Sequence, residues 1–282
     1  MYPMIDLGII KLPTYLILFL LAYVVMIIVA RKIAVDYHYP KEDILNAAIY
    51  GGIGMLVGAK LMYFISRLPS IIPRLDWYIG YWRDKPLEAL EFSFGGLVFY
   101  GGLIGAVAFA YIYCRRHKLP FLPLADIFTP LLPFVHGVGR IGCFMAGCCY
   151  GKEYHGLGCV QFPANELIPE LDDVPRIPVQ LIEAGFNFAI SIVLLRLQKR
   201  GNMKRGQLLG IYIVYYTVVR FFMEIMRGDS VRGGLGAMST SQIISIILVP
   251  IGIVLARGKW LEKRFEQYEK DIVEGDVEDE AE

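Results

Sequence analysis

The stretch Leu12–Ala30 reads LPTYLILFLLAYVVMIIVA and contains no charged side chain. A transmembrane helix needs about 20 mostly apolar residues, so this stretch is long enough to cross a bilayer. Six further stretches are also mostly apolar, although the last is short: Ile44–Ile65, Phe94–Cys114, Ala125–Phe144, Val179–Leu197, Gly206–Met226 and Ser241–Ala256. The sequence therefore predicts an all-α, polytopic integral membrane protein with about seven transmembrane helices.

The composition of the whole chain agrees with a membrane protein. Of its 282 residues, 56% are hydrophobic and only 20% are charged, and the mean hydropathy is +0.49. A formal net charge of +1 provides no field that would attract nucleic acid, so no nucleic-acid partner is expected. The pattern predicts one membrane-embedded domain over residues 1–261. Residues 262–282 are predicted to form an acidic, disordered cytoplasmic tail, because they lack the apolar face that folding requires.

Positively charged residues indicate the orientation of the helices. They collect in alternate connections and after the last apolar stretch: Arg31, Lys32 and Lys41; Arg115, Arg116 and Lys118; Lys199, Arg200, Lys204 and Arg205; Arg257, Lys259, Lys263 and Arg264. Because cytoplasmic loops carry an excess of Lys and Arg, these connections are predicted to be cytoplasmic, with the N-terminus outside and the C-terminus inside. The extracytoplasmic segments are then small, namely the aromatic-rich residues 66–93 and the loop 150–178.

Among the ionisable residues inside the apolar stretches, five are candidates for a functional role: Lys60, Arg140, Glu183, Arg220 and Glu224. A charge at membrane depth costs on the order of 2.5–3.5 kcal/mol and usually faces a cavity or a partner. Arg220 and Glu224 are four residues apart, with Tyr216 one turn earlier, so all three share one helix face. They form either a functional polar seam or an Arg–Glu pair that only neutralises itself.

The fourth apolar stretch contains the densest motif, His136-Gly-Val-Gly-Arg140-Ile-Gly-Cys143-Phe-Met-Ala-Gly-Cys148-Cys149. Its glycines allow close approach of a backbone or a lipid headgroup, and they can expose backbone N–H groups beside Arg140. Arginine forms bidentate contacts with phosphate and stays charged when desolvated. Together with Arg220, the motif predicts a site for the headgroup of a phospholipid.

Several dispersed motifs occur in the order found in one known family. They are Tyr15; Gly58-Ala-Lys60-Leu-Met-Tyr63; Gly95-Gly-Leu-Val-Phe-Tyr-Gly-Gly-Leu-Ile-Gly105; Gly139-Arg-Ile-Gly142, followed by Phe144, Gly147 and Gly151; Pro178-Val-Gln180-Leu-Ile-Glu183; Tyr216-Thr-Val-Val-Arg220-Phe-Phe-Met-Glu224; and Met238-Ser-Thr-Ser-Gln242. With these motifs the chain resembles the prolipoprotein diacylglyceryl transferase family from its first apolar stretch to its last.

The resemblance implies an enzyme of the bacterial inner membrane that begins lipoprotein maturation. Its partners would be phosphatidylglycerol, the prolipoprotein signal peptide with its lipobox cysteine, and membrane lipids. The diacylglyceryl group would pass to the cysteine thiol as a thioether, with release of glycerol phosphate. No metal or nucleotide cofactor is implied. The candidate catalytic residues are Arg140, Arg220, Tyr100 and His136, and the candidate substrate-binding residues are Arg140, Tyr15, Lys60, Gly142, Gly151, Tyr216 and Glu224.

Four positions depart from the family pattern. Tyr100 stands where a histidine is common, and tyrosine is a reluctant general base at neutral pH because its unperturbed pKa is about 10. Cys143 replaces an asparagine, Cys148 replaces an acidic residue, and Lys60 replaces an arginine. His136, four residues before Arg140, is therefore a candidate for the replacement base.

The cysteines of this motif leave several interpretations open. Cys148 or Cys149 is a nucleophilic or redox thiol near Arg140, or the cysteines bind a metal with His136 or with His155 and Cys159, although the C-x-x-C spacing of structural zinc sites is missing. Alternatively, they are small apolar packing residues. A disulfide from Cys159 to Cys148 or Cys149 is also conceivable.

Two other functions compete with the family activity. One is a divergent transferase on the same scaffold with a different acceptor or lipid, suggested by Tyr100 and the cysteines. The other is a non-catalytic phospholipid-binding or transport protein, in which Arg140 and Arg220 hold an anion without chemistry.

Overall fold

The structure is a computed structural model that describes residues 4–6, 8, 11–163, 174–228, 234–235 and 238–258. The predicted tail, residues 262–282, lies outside this part. The helices are α1 Thr14–Asp36, α2 Lys41–Ile71, α3 Leu75–Asp84, α4 Pro86–Phe94, α5 Phe99–Arg116, α6 Phe121–Phe128, α7 Leu132–Ala146, α8 Val179–Lys199, α9 Gln207–Met226 and α10 Thr240–Ala256. A 3₁₀ turn, Ile72–Arg74, links α2 to α3.

Three short antiparallel strand pairs lie outside the helices. Their strands are β1 Met4–Asp6, β2 Lys11–Pro13, β3 Val160–Gln161, β4 Pro175–Arg176, β5 Gly234–Leu235 and β6 Met238–Ser239. The registers pair Ile5 with Leu12, Val160 with Arg176, and Leu235 with Met238. The predominance of helix over these two- and three-residue strands confirms the predicted all-α class.

The number of membrane spans is four to six by length and composition among the described helices. Four segments are long and apolar enough alone: α1, the continuous run Lys41–Asp84, α8 and α9. Two bent pairs qualify together, α4 with α5 at 82° and α6 with α7 at 45°. The predicted seventh stretch corresponds to α10, a shorter apolar helix of 17 residues.

The described part of the chain divides into two compact units, one of residues 31–124 and the other of the described residues before 31 and after 124. The smaller unit is built on the α2–α5 pair. Gly54 and Gly58 on α2 face Gly105 and Gly101 on α5 so closely that a Cβ on any of the four would overlap the opposite backbone. The glycine-rich start of α5 therefore serves helix packing, as small residues do between membrane helices.

In the larger unit, α7 packs on α8, and α9 packs on both α8 and α10. Strong local signals end and begin these helices. Gly147, with φ at +73°, stops α7, because glycine adopts this left-handed conformation without strain. Ser239 begins α10 with a capping box that includes Gln242.

Backbone hydrogen bonds gather three helix ends at one end of the larger unit. After α7, Gly151 N–H donates to the Ile177 carbonyl at 3.0 Å, just before α8. Lys152 N–H donates to the Met226 carbonyl at 3.0 Å, in the last residue of α9. These hydrogen bonds therefore hold the end of α7, the start of α8 and the end of α9 close together.

Candidate active site

The centre of the site is the buried carboxylate of Glu183 on α8, whose side chain is only 3% exposed. Arg140 on α7 donates from Nη2 to Glu183 Oε1 at 2.9 Å. Arg220 on α9 places Nη1 3.8 Å from Glu183 Oε2, and its Nη2 lies 2.6 Å from Oε2 of Glu224. One carboxylate thus holds two guanidinium groups from different helices side by side.

Both guanidinium groups keep donor capacity after these contacts. The buried Nε of Arg140 and the buried Nη1 of Arg220 make no hydrogen bond within the described part of the chain. Arg220 also donates from Nη2 to the hydroxyl of Ser241 on α10 at 3.2 Å. Buried N–H donors are costly when unpaired, and Arg donors suit phosphate oxygens. The geometry is therefore suited to binding an anion beside Glu183.

His136 lies one helical turn before Arg140 and also faces Glu183. Its Nε2 is 3.5 Å from Glu183 Oε1, and its ring centroid is 5.5 Å from that of Tyr216 on α9. The structure thus brings together five predicted site residues. His136, Arg140 and Arg220 lie beside Glu183, while Tyr216 lies near His136 and Glu224 pairs with Arg220.

Tyr15 near the start of α1 packs against the same helix as Arg140. A Cβ on Gly142 would lie 2.9 Å from Tyr15 Cδ2 and 3.1 Å from its Cα, whereas a Cβ on Gly139 would lie 3.9 Å from Tyr15 Cε2. Gly142 is glycine because the backbone and ring of Tyr15 occupy the space of a side chain. Gly151 has a comparable role, since a Cβ there would lie 2.8 Å from Ile177 Cβ.

Three thiols meet where α7 ends. The Sγ atoms of Cys143, Cys148 and Cys149 all lie within 4.8 Å of one another. All five cysteines are free, so the conceivable disulfide from Cys159 is not formed. Neither His136, His155 nor Cys159 joins this group of ligand atoms.

The two remaining predicted residues belong to the smaller unit. Lys60 on α2 donates from Nζ to the carbonyl of Phe94, the last residue of α4. Tyr100 lies in the first turn of α5, and its ring packs edge to face on Phe99 with centroids 5.9 Å apart. Within this unit Lys60 supports the break between α4 and α5.

Glu183 was not predicted as a site residue, although the structure makes it the common partner of the arginines. It was recognised as a charge at membrane depth, and that signal was sufficient to include it. Gln180, one turn earlier on α8, was also missed. It is 1% exposed and donates to the Cys148 carbonyl at 2.8 Å, a contact that no sequence pattern reveals.

Comparison with known proteins tests the family resemblance. A family model described as prolipoprotein diacylglyceryl transferase matches residues 3–257. A Clostridium perfringens protein named phosphatidylglycerol–prolipoprotein diacylglyceryl transferase 2 is 34% identical over 82% of this chain and 85% of its own length. Relatives with the same enzyme name come from Clostridium tetani, at 35% identity over 76% of this chain and 80% of the relative, and from Finegoldia magna, at 29% over 93% of both. The predicted resemblance is thereby confirmed, and the chain belongs to the prolipoprotein diacylglyceryl transferase family.

Proposed function

We propose that this protein transfers the diacylglyceryl group of phosphatidylglycerol to the lipobox cysteine of a prolipoprotein. The relatives are named for this reaction. The observation that supports it most directly in this chain is the pair of arginines on Glu183, each with a buried nitrogen that makes no hydrogen bond within the described part of the chain.

The reaction forms one bond and breaks another at a glycerol carbon. The thiolate of the acceptor cysteine attacks this carbon to form a C–S bond, and the C–O bond to the phosphate breaks. Glycerol phosphate leaves with the electron pair. Because negative charge grows on the departing phosphate, Arg140 and Arg220 stabilise the transition state more than the bound lipid.

In this proposal Glu183 keeps the two arginines together. His136 acts as the general base. Without a shared carboxylate, two adjacent buried guanidinium groups would repel each other. His136 accepts the thiol proton, and the carboxylate of Glu183 stabilises the imidazolium that forms. Glu224 orients Arg220, while Tyr15 and Tyr216 shape the cavity.

The remaining substrate contacts belong to the same proposal. On the basis of the family pattern, Lys60, Gly142 and Gly151 are assigned to substrate binding, and Tyr100 is assigned to the catalytic residues. Each of these residues has a neighbour that fixes its position: Phe94 for Lys60, Tyr15 for Gly142, Ile177 for Gly151 and Phe99 for Tyr100.

The finer topology is also proposed: seven spans in the inner membrane, with the N-terminus outside and the C-terminus cytoplasmic. Alternate basic clusters support this orientation. The seven spans of this topology would be α1, α2, the pair α4–α5, the pair α6–α7, α8, α9 and the 17-residue α10. In this orientation the helix ends joined by Gly151 and Ile177 lie on the outer side, where a secreted prolipoprotein arrives.

The test is an assay in liposomes of phosphatidylglycerol with a lipobox peptide. Mass spectrometry follows the diacylglyceryl peptide, and an enzymatic assay follows glycerol phosphate. We expect both products from the wild type and from an Arg83→Ala control, which removes an exposed arginine. Arg140→Ala should lower turnover by about 10²–10³-fold, while equilibrium binding of labelled lipid persists.

Two results would contradict the proposal. Near-wild-type turnover of Arg140→Ala would show that Arg140 does not stabilise the departing phosphate. Lipid binding without product from the folded wild type would favour a lipid-binding protein, or a transferase with a different acceptor.

A further inference from the structure

We propose that Cys143, Cys148 and Cys149 form a three-thiolate site for Zn²⁺, and that the fourth coordination position of the ion takes the thiol of the acceptor peptide. The cysteines alone would form the metal site. Its role in thiol activation rests on the proposed transferase function. This inference departs from the metal-free site that the family resemblance implies.

The positions of the sulfur atoms suit a small thiophilic ion. Zinc–sulfur bonds are about 2.3 Å long, so tetrahedral ligation places sulfur atoms about 3.8 Å apart. The three Sγ atoms lie within 4.8 Å of one another. Side-chain rotations that move the sulfur atoms about 1 Å closer together would bring them to the spacing of zinc ligands. All three residues are partly exposed, so an ion can reach them.

The local backbone explains how this spacing makes a site without a C-x-x-C motif. Gly147 ends α7 in a left-handed conformation, and Cys148 N–H then donates to the Cys143 carbonyl at 3.1 Å. Cys149 also has a positive φ of 63°, which is uncommon for a residue with a side chain. The chain therefore folds back over the last turn of α7 and brings the later thiols to the first.

The surroundings favour a complex with residual negative charge. Three thiolates and one Zn²⁺ carry a net charge of −1, and the guanidinium groups of Arg140 and Arg227 both interact electrostatically with Cys149. Soft thiolate ligands select zinc or copper(I) over magnesium or calcium. Three protein ligands and one open position are the pattern of catalytic rather than structural zinc sites.

An open position next to Arg140 has a direct use in thioether formation. When the peptide thiol binds the ion, its S–H bond breaks and the proton passes to His136, leaving a zinc-bound thiolate. The sulfur electron pair then forms the C–S bond as the C–O bond breaks, and glycerol phosphate leaves. No electron is gained or lost overall, so no oxidant or reductant is required.

The metal site is tested first without any substrate. The full chain is purified in detergent under reducing conditions, incubated with Zn²⁺, desalted and analysed by mass spectrometry for metal content. We expect about one zinc per chain in the wild type and in a Cys159→Ser control, and a loss of at least tenfold when Cys143, Cys148 and Cys149 are all serine. A single Cys148→Ser variant, checked by size-exclusion chromatography, keeps the test valid if the triple variant misfolds.

Equal zinc content in the wild type and the folded Cys148→Ser variant would overturn the site. So would a disulfide among the three cysteines in the protein purified under these conditions.

The open position is tested with Co²⁺ as a spectroscopic substitute for zinc. Tetrahedral cobalt thiolates absorb visible light, and each added thiolate changes the spectrum. We expect a lipobox peptide to change the spectrum of the cobalt protein, and the same peptide with serine in place of cysteine to leave it unchanged. Identical spectra with both peptides would overturn coordination of the acceptor thiol.

A transfer assay separates this inference from the proposed function. Chelation of zinc should lower transfer at least tenfold, and added Zn²⁺ should restore it. Full transfer by the metal-free protein would overturn thiol activation while leaving the transferase function intact. Zinc and peptide binding without any transfer would instead contradict the proposed function and leave the metal site standing.

Discussion

Glu183 on α8 accepts a 2.9 Å hydrogen bond from Arg140 on α7, in a position where the carboxylate is almost fully buried. The same carboxylate lies within 3.8 Å of Arg220 on α9. One acidic side chain on α8 therefore holds the arginines of α7 and α9 next to each other. We therefore expect Glu183 to be a positioning residue that acts through the two arginines.

Replacement of Glu183 by glutamine should damage both activity and stability. Glutamine keeps the shape but removes the charge that offsets the arginines, and breaking a buried ion pair costs about 3–5 kcal/mol. We expect transfer to fall at least tenfold and the apparent Tm in detergent to drop. Glu153→Gln is the matched control, since Glu153 is exposed and its carboxylate lies 3.0 Å from Nε2 of His155, which is also exposed.

A readout of lipid binding distinguishes positioning from simple loss of folding. Folded Glu183→Gln protein should bind phosphatidylglycerol at least as tightly as the wild type, because two arginines lose their internal counter-charge. Wild-type transfer by this variant would contradict the positioning role.

Removal of the His136 imidazole should slow transfer by about 10²-fold, the size expected for a general base. Its Nε2 lies 3.5 Å from Glu183, which would stabilise the protonated form during the reaction. Single-turnover kinetics of His136→Ala measure the effect, and His155→Ala serves as the control because His155 is exposed. Full activity of His136→Ala would rule out the replacement-base hypothesis.

Hydropathy predicted the positions of the helices better than their breaks. The stretch Leu12–Ala30 falls almost entirely within α1, but Ala125–Phe144 crosses the 45° bend between α6 and α7. The bend follows from Pro130 and Pro133, since proline disrupts the hydrogen bonds of a helix. A moving average of hydropathy contains no information on such a bend.

The site was predictable where its residues share a helix and obscure where they do not. The four-residue spacing of Arg220 and Glu224 predicted their pairing, which the structure confirms at 2.6 Å. The link from Arg140 to Glu183 spans 43 positions of sequence and depends on the packing of α7 against α8. The thiol cluster depends on left-handed residues at the end of α7, which helical periodicity does not describe.

The contact of Tyr15 with α7 predicts different outcomes for two neighbouring glycines. Gly142→Ala would place a methyl group 2.9 Å from the Tyr15 ring and 3.1 Å from its Cα, so α1 must move. Gly139→Ala meets Tyr15 only at 3.9 Å, an ordinary van der Waals distance. We expect at least a tenfold loss of transfer for Gly142→Ala and less than a twofold loss for Gly139→Ala. Equal activities of the two variants would show that the position of Tyr15 does not matter.

The close α2–α5 packing makes the stability of the smaller unit sensitive to a single methyl group. A Cβ on Gly58 would overlap the backbone of Gly101, whereas a Cβ on Gly51, two turns earlier on α2, would lie 3.7 Å from the Ala106 carbonyl oxygen. Overpacking of a tight interface costs about 1–3 kcal/mol, and alanine is the better helix former in both places. Thermal unfolding in detergent should therefore give a lower apparent Tm for Gly58→Ala and an unchanged or higher one for Gly51→Ala. If Gly58→Ala melts at or above the wild-type temperature, the two helices do not approach through these glycines.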